Sequence, residues 1–292
     1  MFRSFKIGRL FGIPLYVHPT FFLLPAWMLL ANYMASAGMA LFSMLCLVGL
    51  FSCIVLHELG HALMARFFGI GTESITLYPI GGVARLHRMG DQPHEEICIA
   101  LAGPAVNLVI AVLLTPFVLL TITLGGAHGQ ALPFSALGPA AIVGQFVLYL
   151  WAENLLLLGF NLLPGFPMDG GRVLRGVLSL FMRPLRATEI AARVGLLVAF
   201  LIAASSIVLL SPWPFILAVF VLFAGQQELL FYRQLEAHRR AVALNGVAPQ
   251  PAWVQVGESQ PRPEPPFTGL AWDSRHRVWV KWLNGRPVAY WG

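Results

Sequence analysis

Charged residues are scarce in this sequence, and their scarcity excludes an ordinary soluble domain. Of 292 residues only 11% are Asp, Glu, Lys or Arg, whereas 58% are hydrophobic and the mean hydropathy is +0.73. Three stretches contain no charged residue at all, namely 10–57, 97–152 and 194–227. Each can hold at least one membrane span of about 20 residues, and a backbone in lipid must satisfy its own hydrogen bonds. The sequence therefore predicts an all-α, multi-pass membrane protein.

Cysteine is scarce as well. The chain has Cys46, Cys53 and Cys98, with no CxxC spacing, which argues against a disulfide framework and a thiolate metal site. The net charge of +6 does not predict nucleic-acid binding, because the basic residues lie in short segments between apolar stretches, where membrane topology explains them. We expect membrane lipid around this chain and no nucleic-acid partner.

Six apolar segments are each typical of a membrane-spanning helix. They lie at about residues 18–36, 40–68, 95–124, 138–162, 191–210 and 213–232. Basic residues occur in every second connection, beginning with Arg3, Lys6 and Arg9 before the first segment. By the positive-inside rule this alternation predicts a cell-membrane protein with both termini in the cytoplasm.

The connection between the second and third segments differs from the others. It reads TESITLYPIGGVARLHR, residues 72–88, and combines β-branched residues, a proline followed by two glycines, and partial alternation of apolar and polar residues. This pattern favours a β-hairpin over another helix. We expect a short membrane-associated hairpin on the cytoplasmic side.

The composition changes towards the C-terminal end. Residues 1–235 are predicted to form the six-span domain, 236–270 a Pro-rich cytoplasmic linker and 271–292 a Trp-rich tail. Proline and polar residues in the linker favour extended chain. In the tail, Asn284-Gly285 is a two-residue turn signal between apolar stretches. The tail is interpreted either as a small hairpin or as a set of tryptophans resting on the membrane interface.

Polar side chains interrupt one of the most apolar parts of the chain, where residues 57–61 read HELGH. Residues four apart share a face of a helix, so His57 and His61 can bind one metal ion with Glu58 beside them. A catalytic zinc has three protein ligands and a water, and a neighbouring carboxylate takes the proton of that water. Such groups in a membrane span cost several kcal/mol unless paired or solvated. We predict one Zn²⁺ per chain, with Glu58 as the general base.

The third ligand is expected in a later segment that ends abruptly. Residues 161–176 read NLLPGFPMDGGRVLRG, so an apolar span is broken by Pro164 and Pro167 before Asp169. Prolines disrupt a helix, and irregular backbone at membrane depth must be buried in protein or line a wet cavity. Charge topology places this break on the same cytoplasmic side as HELGH, which makes Asp169 the candidate ligand. The alternative is that Asp169 is a solvated N-cap of the following helix.

Asn161 lies eight residues before Asp169, on the last turn before the break. One interpretation is that its amide binds substrate, through a hydrogen bond to a carbonyl or a developing oxyanion. The other is that it caps the exposed backbone of the helix end.

Four segments of the chain resemble the site-2 protease family of intramembrane zinc metalloproteases. They are HELGHALMARFFG, YPIGGVARL, LAGPAVN and NLLPGFPMDGGRVLRG, and the resemblance covers about residues 1–235. It implies that His57, His61 and Asp169 are zinc ligands, that Glu58 is the catalytic base and that Asn161 contacts substrate. In LAGPAVN, a packing role is expected: Gly103 permits close helix approach, and Asn107 can hydrogen-bond across spans.

The resemblance also implies a function, an intramembrane zinc endopeptidase that hydrolyses a peptide bond within or next to the transmembrane segment of a membrane protein substrate. The hairpin at residues 72–88 either offers a strand edge to the unwound substrate or simply connects two spans. Two alternatives are a membrane metal-ion transporter, since ion pathways also use His, Asp and Glu within spans, and a catalytically silent membrane-binding homologue. The intact HELGH and Asp169 argue against a silent homologue. The sequence identifies neither the substrate nor the oligomeric state.

Overall fold

The computed structural model describes residues 4–33, 36–87, 92–125, 138–245, 269–273, 278–283 and 286–291. Within these ranges the helices are, in chain order, α1 (Leu23–Tyr33), α2 (Ala37–Phe67), α3 (Pro93–Gly125), α4 (Pro139–Asn161), α5 (Asp169–Ser179), α6 (Pro184–Val208) and α7 (Trp213–Asn245). The strands are β1 (Phe5–Leu10), β2 (Ile13–Val17), β3 (Thr72–Tyr78), β4 (Gly81–Leu86), β5 (Gly269–Asp273), β6 (Val278–Leu283) and β7 (Arg286–Trp291). The chain falls into two compact units, residues 1–235 and 236–292.

The predicted fold class, a multi-pass helical membrane protein with a small hairpin, is confirmed. In the described ranges five helices are long and apolar enough to cross a membrane, namely α2, α3, α4, α6 and the part of α7 that covers Trp213–Ala237. The first predicted span, at about residues 18–36, is shorter than expected. It consists of one 3₁₀ turn, Pro19–Phe22, followed by the 11 residues of α1, whereas a helical span typically has about 20 residues.

The predicted hairpin is present as β3 and β4, and it belongs to a larger sheet. The strand order is β1-β2-β3-β4, with β2 and β3 parallel and the two other pairs antiparallel. Strands β1 and β2 were not predicted. In β2, Ile13–Val17, every second side chain is buried. This alternation of burial is typical of a strand with one face against a core. The absence of charge in residues 10–57 concealed it.

The sheet packs along one face of α2, and this contact orients the helix. The α2 side chains in the core recur at about every fourth position, which places them on one face; they are Leu47, Phe51, Val55, Leu59 and Ala62. The sheet contributes the buried side chains Ile13, Leu15, Val17, Ile75 and Leu77. Since His57 lies two residues from Val55 and from Leu59, it points away from the sheet. The sheet therefore turns the histidine face of α2 towards the other helices.

The C-terminal unit contains a three-stranded antiparallel sheet in the order β5-β6-β7. Strand β6 ends just before residues 284–285, and strand β7 begins just after them. Helix α7 continues to Asn245, so the first ten residues assigned to the linker are helical, as expected from good helix formers in EAHRRAVALN. Residues 246–268 of that linker, and residues 284–285 themselves, lie outside the described residues.

Candidate metal centre

Two histidines of α2 form one side of the centre. His57 and His61 are four residues apart, and their Nε2 atoms lie 3.0 Å from each other. The two rings are nearly perpendicular, with an interplanar angle of 80°. Both Nε2 atoms therefore converge on one point, as the spacing predicted.

Asp169, which lies 112 residues after His57 in the chain, completes the group. Its Oδ2 lies 3.2 Å from Nε2 of His57 and 3.1 Å from Nε2 of His61. Among the described residues these three side chains are the one cluster of His, Cys, Asp or Glu whose ligand atoms gather within 4.8 Å of one another. The structure thus brings together the three residues that the sequence proposed as metal ligands.

The second nitrogen of each ring is held by α3. Nδ1 of His61 donates to the backbone carbonyl of Ile99 at 2.7 Å, and Nδ1 of His57 lies 3.1 Å from Nδ2 of Asn107. Metal-binding histidines commonly use their second nitrogen in this way, which fixes the orientation of the ring. Sequence reasoning assigned Asn107 to helix packing. The signal it overlooked is that Gly103 and Asn107 are four apart, on the same face of α3.

Gly103 lets α3 pass directly beside the two rings. A Cβ at this position would lie 2.7 Å from Nε2 of His57 and closer still to the ring of His61. On the α2 side, a Cβ at Gly60 would lie 2.7 Å from the carbonyl oxygen of Ala102. The two helices therefore approach through glycine, and the space beside the histidines would be filled by any larger residue.

Asp169 reaches the histidines because the chain between α4 and α5 is packed tightly against two other helices. A Cβ on Gly195 of α6 would lie 2.5 Å from the carbonyl oxygen of Phe166, and a Cβ on Gly225 of α7 would lie 2.9 Å from the same atom. Phe166 is only 1% exposed. This packing places Asp169 as the first residue of α5, where a carboxylate interacts favourably with the helix dipole.

Helix α5 is tied to its neighbours by two arginines. Arg175 forms a two-pronged pair with Glu96 of α3, with Nε donating to Oε1 at 2.6 Å, and its guanidinium lies 4.0 Å from the ring centre of Tyr232 on α7. Arg172 donates to Glu228 of α7 at 3.4 Å. A bidentate arginine–carboxylate pair is strong and directional. These contacts fix the helix that carries Asp169.

Charge in this region keeps Asp169 ionised. Burial by itself raises the pKa of the Asp169 carboxyl, but close contacts with the rings of His57 and His61 and the nearby positive charge of Arg172 hold that pKa well below its usual range. The lowered pKa favours the anionic form that a metal ligand needs, and the N-cap position of α5 is occupied by Met168.

Glu58 lies on the side of α2 that faces the sheet. Its Oε2 accepts a hydrogen bond of 3.1 Å from the backbone N–H of Ala84 on β4. A Cβ on Gly82 would lie only 2.7 Å from Cγ of Glu58, so the strand passes close to the carboxylate. Strand β4 thus fixes the side chain that was proposed as the base.

Two further polar residues of α4 stand apart from this group. Asn161, the last residue of α4, is half-buried, and no hydrogen bond joins it to the metal-ligating side chains or to Glu58 in the described structure. Glu153 lies beside Tyr149, one turn earlier on the same helix. No hydrogen bond in the described structure therefore links Asn161 to the centre, and its substrate contact stays a prediction.

The three ligands fit zinc. Two imidazole nitrogens and one carboxylate oxygen form a donor set found in catalytic zinc sites, at Zn–N and Zn–O distances that place tetrahedral donors roughly 3.3 Å apart. The donor separations here are 3.0 to 3.2 Å. Two further features suit a zinc site. A Cβ at Gly103 would fill the space beside the two rings, and contacts to α3 hold the second nitrogen of each histidine.

Known proteins are similar to this chain in sequence. The model of peptidase family M50 matches residues 45–202. A zinc metalloprotease of Methanocaldococcus jannaschii is 32% identical over 253 residues, which cover 86% of this chain and 68% of that protein. A putative zinc metalloprotease of Synechocystis is 37% identical over 185 residues, 61% of this chain and 45% of that longer protein.

A solved structure agrees with the sequence matches. The site-2 protease from Methanocaldococcus jannaschii superposes with a TM-score of 0.54 at 30% identity, covering 78% of this chain and 95% of that one. The match extends over most of the described membrane unit, and the family's metal is the one that the three ligands fit. The chain therefore belongs to peptidase family M50, the zinc metalloproteases of site-2 protease type.

Proposed function

We propose that this protein is an intramembrane endopeptidase that hydrolyses a peptide bond within or next to the transmembrane segment of another membrane protein. The observation that carries the proposal is the convergence of His57, His61 and Asp169 at 3.0 to 3.2 Å, inside the membrane unit and next to Glu58. His57 lies 20 residues after Ala37, the start of α2, so it is roughly 30 Å along the helix. In this proposal the chemistry takes place on a membrane-spanning helix, towards the end of α2 that precedes basic residues.

In this proposal His57, His61 and Asp169 hold one zinc ion. When bound, zinc supplies Lewis acidity, which makes water a stronger nucleophile at neutral pH and polarises the peptide carbonyl. Glu58 takes the proton from the attacking water and delivers it to the amine of the departing segment. The hydrogen bond from Ala84 N–H holds one carboxylate oxygen, so the other is left to face the water.

We further propose that the substrate pairs with β4. This strand is at the edge of the sheet, and the N–H of Ala84 points away from β3, towards Glu58. Edge strands present unpaired backbone groups, and such groups are costly at membrane depth. An unwound substrate segment laid along β4 would satisfy them and would pass beside the base. In this proposal the sheet next to α2 serves to hold the substrate beside the base.

We also infer a topology with both termini in the cytoplasm, because basic residues lie in alternate connections. This topology requires that the short segment at residues 19–33 crosses the membrane together with the five longer helices. Because α2 runs from Ala37 towards Arg66, the catalytic end of the helix is then on the cytoplasmic side. Asn161 at the end of α4 is on the same side, and in this proposal its amide contacts the substrate.

The test compares three proteins purified in detergent, the wild type, Glu58→Gln and Glu153→Gln. Both variants make the same chemical change within a span, but Glu153 lies outside the metal centre. Zinc content and cleavage of a panel of single-span membrane proteins are measured, the latter by mass spectrometry. We expect about one zinc in all three, and cleavage by the wild type and Glu153→Gln only.

Other results would contradict the proposal. If the wild type binds no zinc under metal-replete conditions, the ligand set is wrong. If Glu58→Gln cuts as fast as the wild type, the base is wrong. Zinc flux into sealed vesicles without cleavage would favour the transporter.

A further inference from the structure

A strip of α3 faces the two histidines through three positions spaced four residues apart, Ile99, Gly103 and Asn107. Ile99 offers its carbonyl to Nδ1 of His61, Gly103 leaves room for both rings, and the Asn107 amide meets Nδ1 of His57. The two histidines are therefore held differently. A backbone carbonyl only accepts, whereas a side-chain amide presents either a donor or an acceptor.

The Asn107 amide lies directly against the ring of His57. Its nitrogen lies 3.1 Å from Nδ1 of His57, and its Oδ1 is buried without a hydrogen-bond partner in the described structure. An amide can meet Nδ1 with either end, and a buried acceptor without a partner is costly.

Zinc binding decides which end of the amide fits. A metal on Nε2 of His57 uses the lone pair of that nitrogen, so the proton of the neutral ring is on Nδ1, which donates. Asn107 is fully buried, with an exposed fraction of 0%, and the two ends of its amide have nearly the same shape. A half-turn of the amide therefore presents Oδ1 to Nδ1–H without repacking and gives the orphaned oxygen a partner.

We propose that Asn107 is the positioning residue that selects the metal-binding tautomer of His57, by accepting a hydrogen bond from Nδ1–H with its amide oxygen. This inference rests on the proposed ligand set. His61 needs no such device, because the carbonyl of Ile99 keeps its proton on Nδ1. Loss of an outer partner of a metal-binding histidine typically weakens metal affinity by about 10- to 100-fold, and we expect this range for Asn107.

The chain offers a closely matched control. Asn154 on α4 is also 0% exposed and also has an unpartnered Oδ1. Its amide contacts Sγ of Cys53 at 3.2 Å. Cys53 lies one turn before His57 on α2 and is not one of the proposed metal ligands. Replacing either asparagine by leucine removes a buried amide beside α2, but only Asn107→Leu deprives a ligand of its partner.

The first experiment measures zinc dissociation constants in detergent by competition with a chelator, for the wild type, Asn107→Leu, Asn107→Asp and Asn154→Leu. We expect Asn107→Leu to bind about 10- to 100-fold more weakly. We expect Asn107→Asp, which keeps an acceptor, and Asn154→Leu to stay within about threefold of the wild type. Equal affinity for wild type and Asn107→Leu would overturn the proposal, as would an equal loss in Asn154→Leu or in Asn107→Asp.

A second measurement needs only the wild type and so does not depend on the folding of a variant. Nitrogen NMR of ¹⁵N-histidine-labelled protein reports which ring nitrogen carries the proton. Because the Asn107 oxygen selects the tautomer, the proton of His57 is expected on Nδ1 both with and without zinc, like that of His61. A His57 proton on Nε2 in the zinc-free wild type overturns the inference, whereas a wild type that binds no zinc overturns the proposed function instead.

Discussion

Replacing Gly103 by alanine tests the metal centre most directly, because it adds one methyl group at the contact between α3 and the histidines. The new Cβ would lie 2.7 Å from Nε2 of His57, about 0.7 Å inside an ordinary van der Waals contact. It would overlap the ring of His61 even more. Metal sites tolerate displacements of only about 0.2 Å in ligand distances, so at least one ring must leave its position. We expect zinc affinity to fall by about 100-fold or more, beyond the range for loss of an outer partner.

The assay is chelator competition for zinc together with cleavage of a substrate identified with the wild type. Gly159→Ala is the matched control, because Gly159 also lies in a membrane helix and a Cβ there meets nothing within 4 Å. The control should bind zinc and cut as the wild type does. Wild-type zinc affinity in Gly103→Ala would refute the reasoning, since it would mean that α2 and α3 separate at little cost and that the close approach does not define the site.

Three further predictions concern the base, the support of α5 and the metal. Gly82→Ala places a Cβ 2.7 Å from Cγ of Glu58, so we expect cleavage to fall while zinc content is unchanged; loss of zinc would contradict this. Glu96→Gln leaves Arg175 buried without its anionic partner and should lower the free energy of unfolding in detergent by about 3 kcal/mol; an unchanged unfolding curve would show that the pair does not hold α5. Removal of zinc from the wild type, when zinc is 100-fold above its dissociation constant, should cost about 2.7 kcal/mol of stability, and Asp169→Asn should show a much smaller effect of the chelator.

The cluster of candidate metal ligands was predictable because its signal is local. His57 and His61 are four apart on a helix, and that spacing fixes their relation whatever surrounds the helix. Asp169 was inferred from a break in an apolar span, and the structure places it 3.1 to 3.2 Å from both histidines. Asn161 belongs to an equally recognisable motif, yet no hydrogen bond in the described structure joins it to the centre. Its proposed role concerns a substrate, whose contacts a structure of the chain alone does not contain.

The fold was predictable to a similar degree. Absence of charge over long stretches is a strong signal for spans, and it located the helices that cross the membrane. The same absence concealed β1 and β2, because a strand of five residues such as Ile13–Val17 is a weak signal beside an apolar helix of more than ten. The end of α7 was placed too early because loss of hydropathy was taken as the end of the helix, whereas good helix formers continue it to Asn245.

By itself the sequence determined that this is a membrane protein with an HExxH helix and a distant acidic residue as candidate metal ligands, since composition, helical spacing and helix breaks act over a few residues. Only the tertiary structure decided how these parts meet. It decided that α3 passes the histidines through Gly103, that Asn107 and the Ile99 carbonyl hold their second nitrogens, and that β4 binds Glu58 through Ala84. Such contacts join residues that are far apart in the chain, and they depend on the distances between packed helices, which no local pattern encodes.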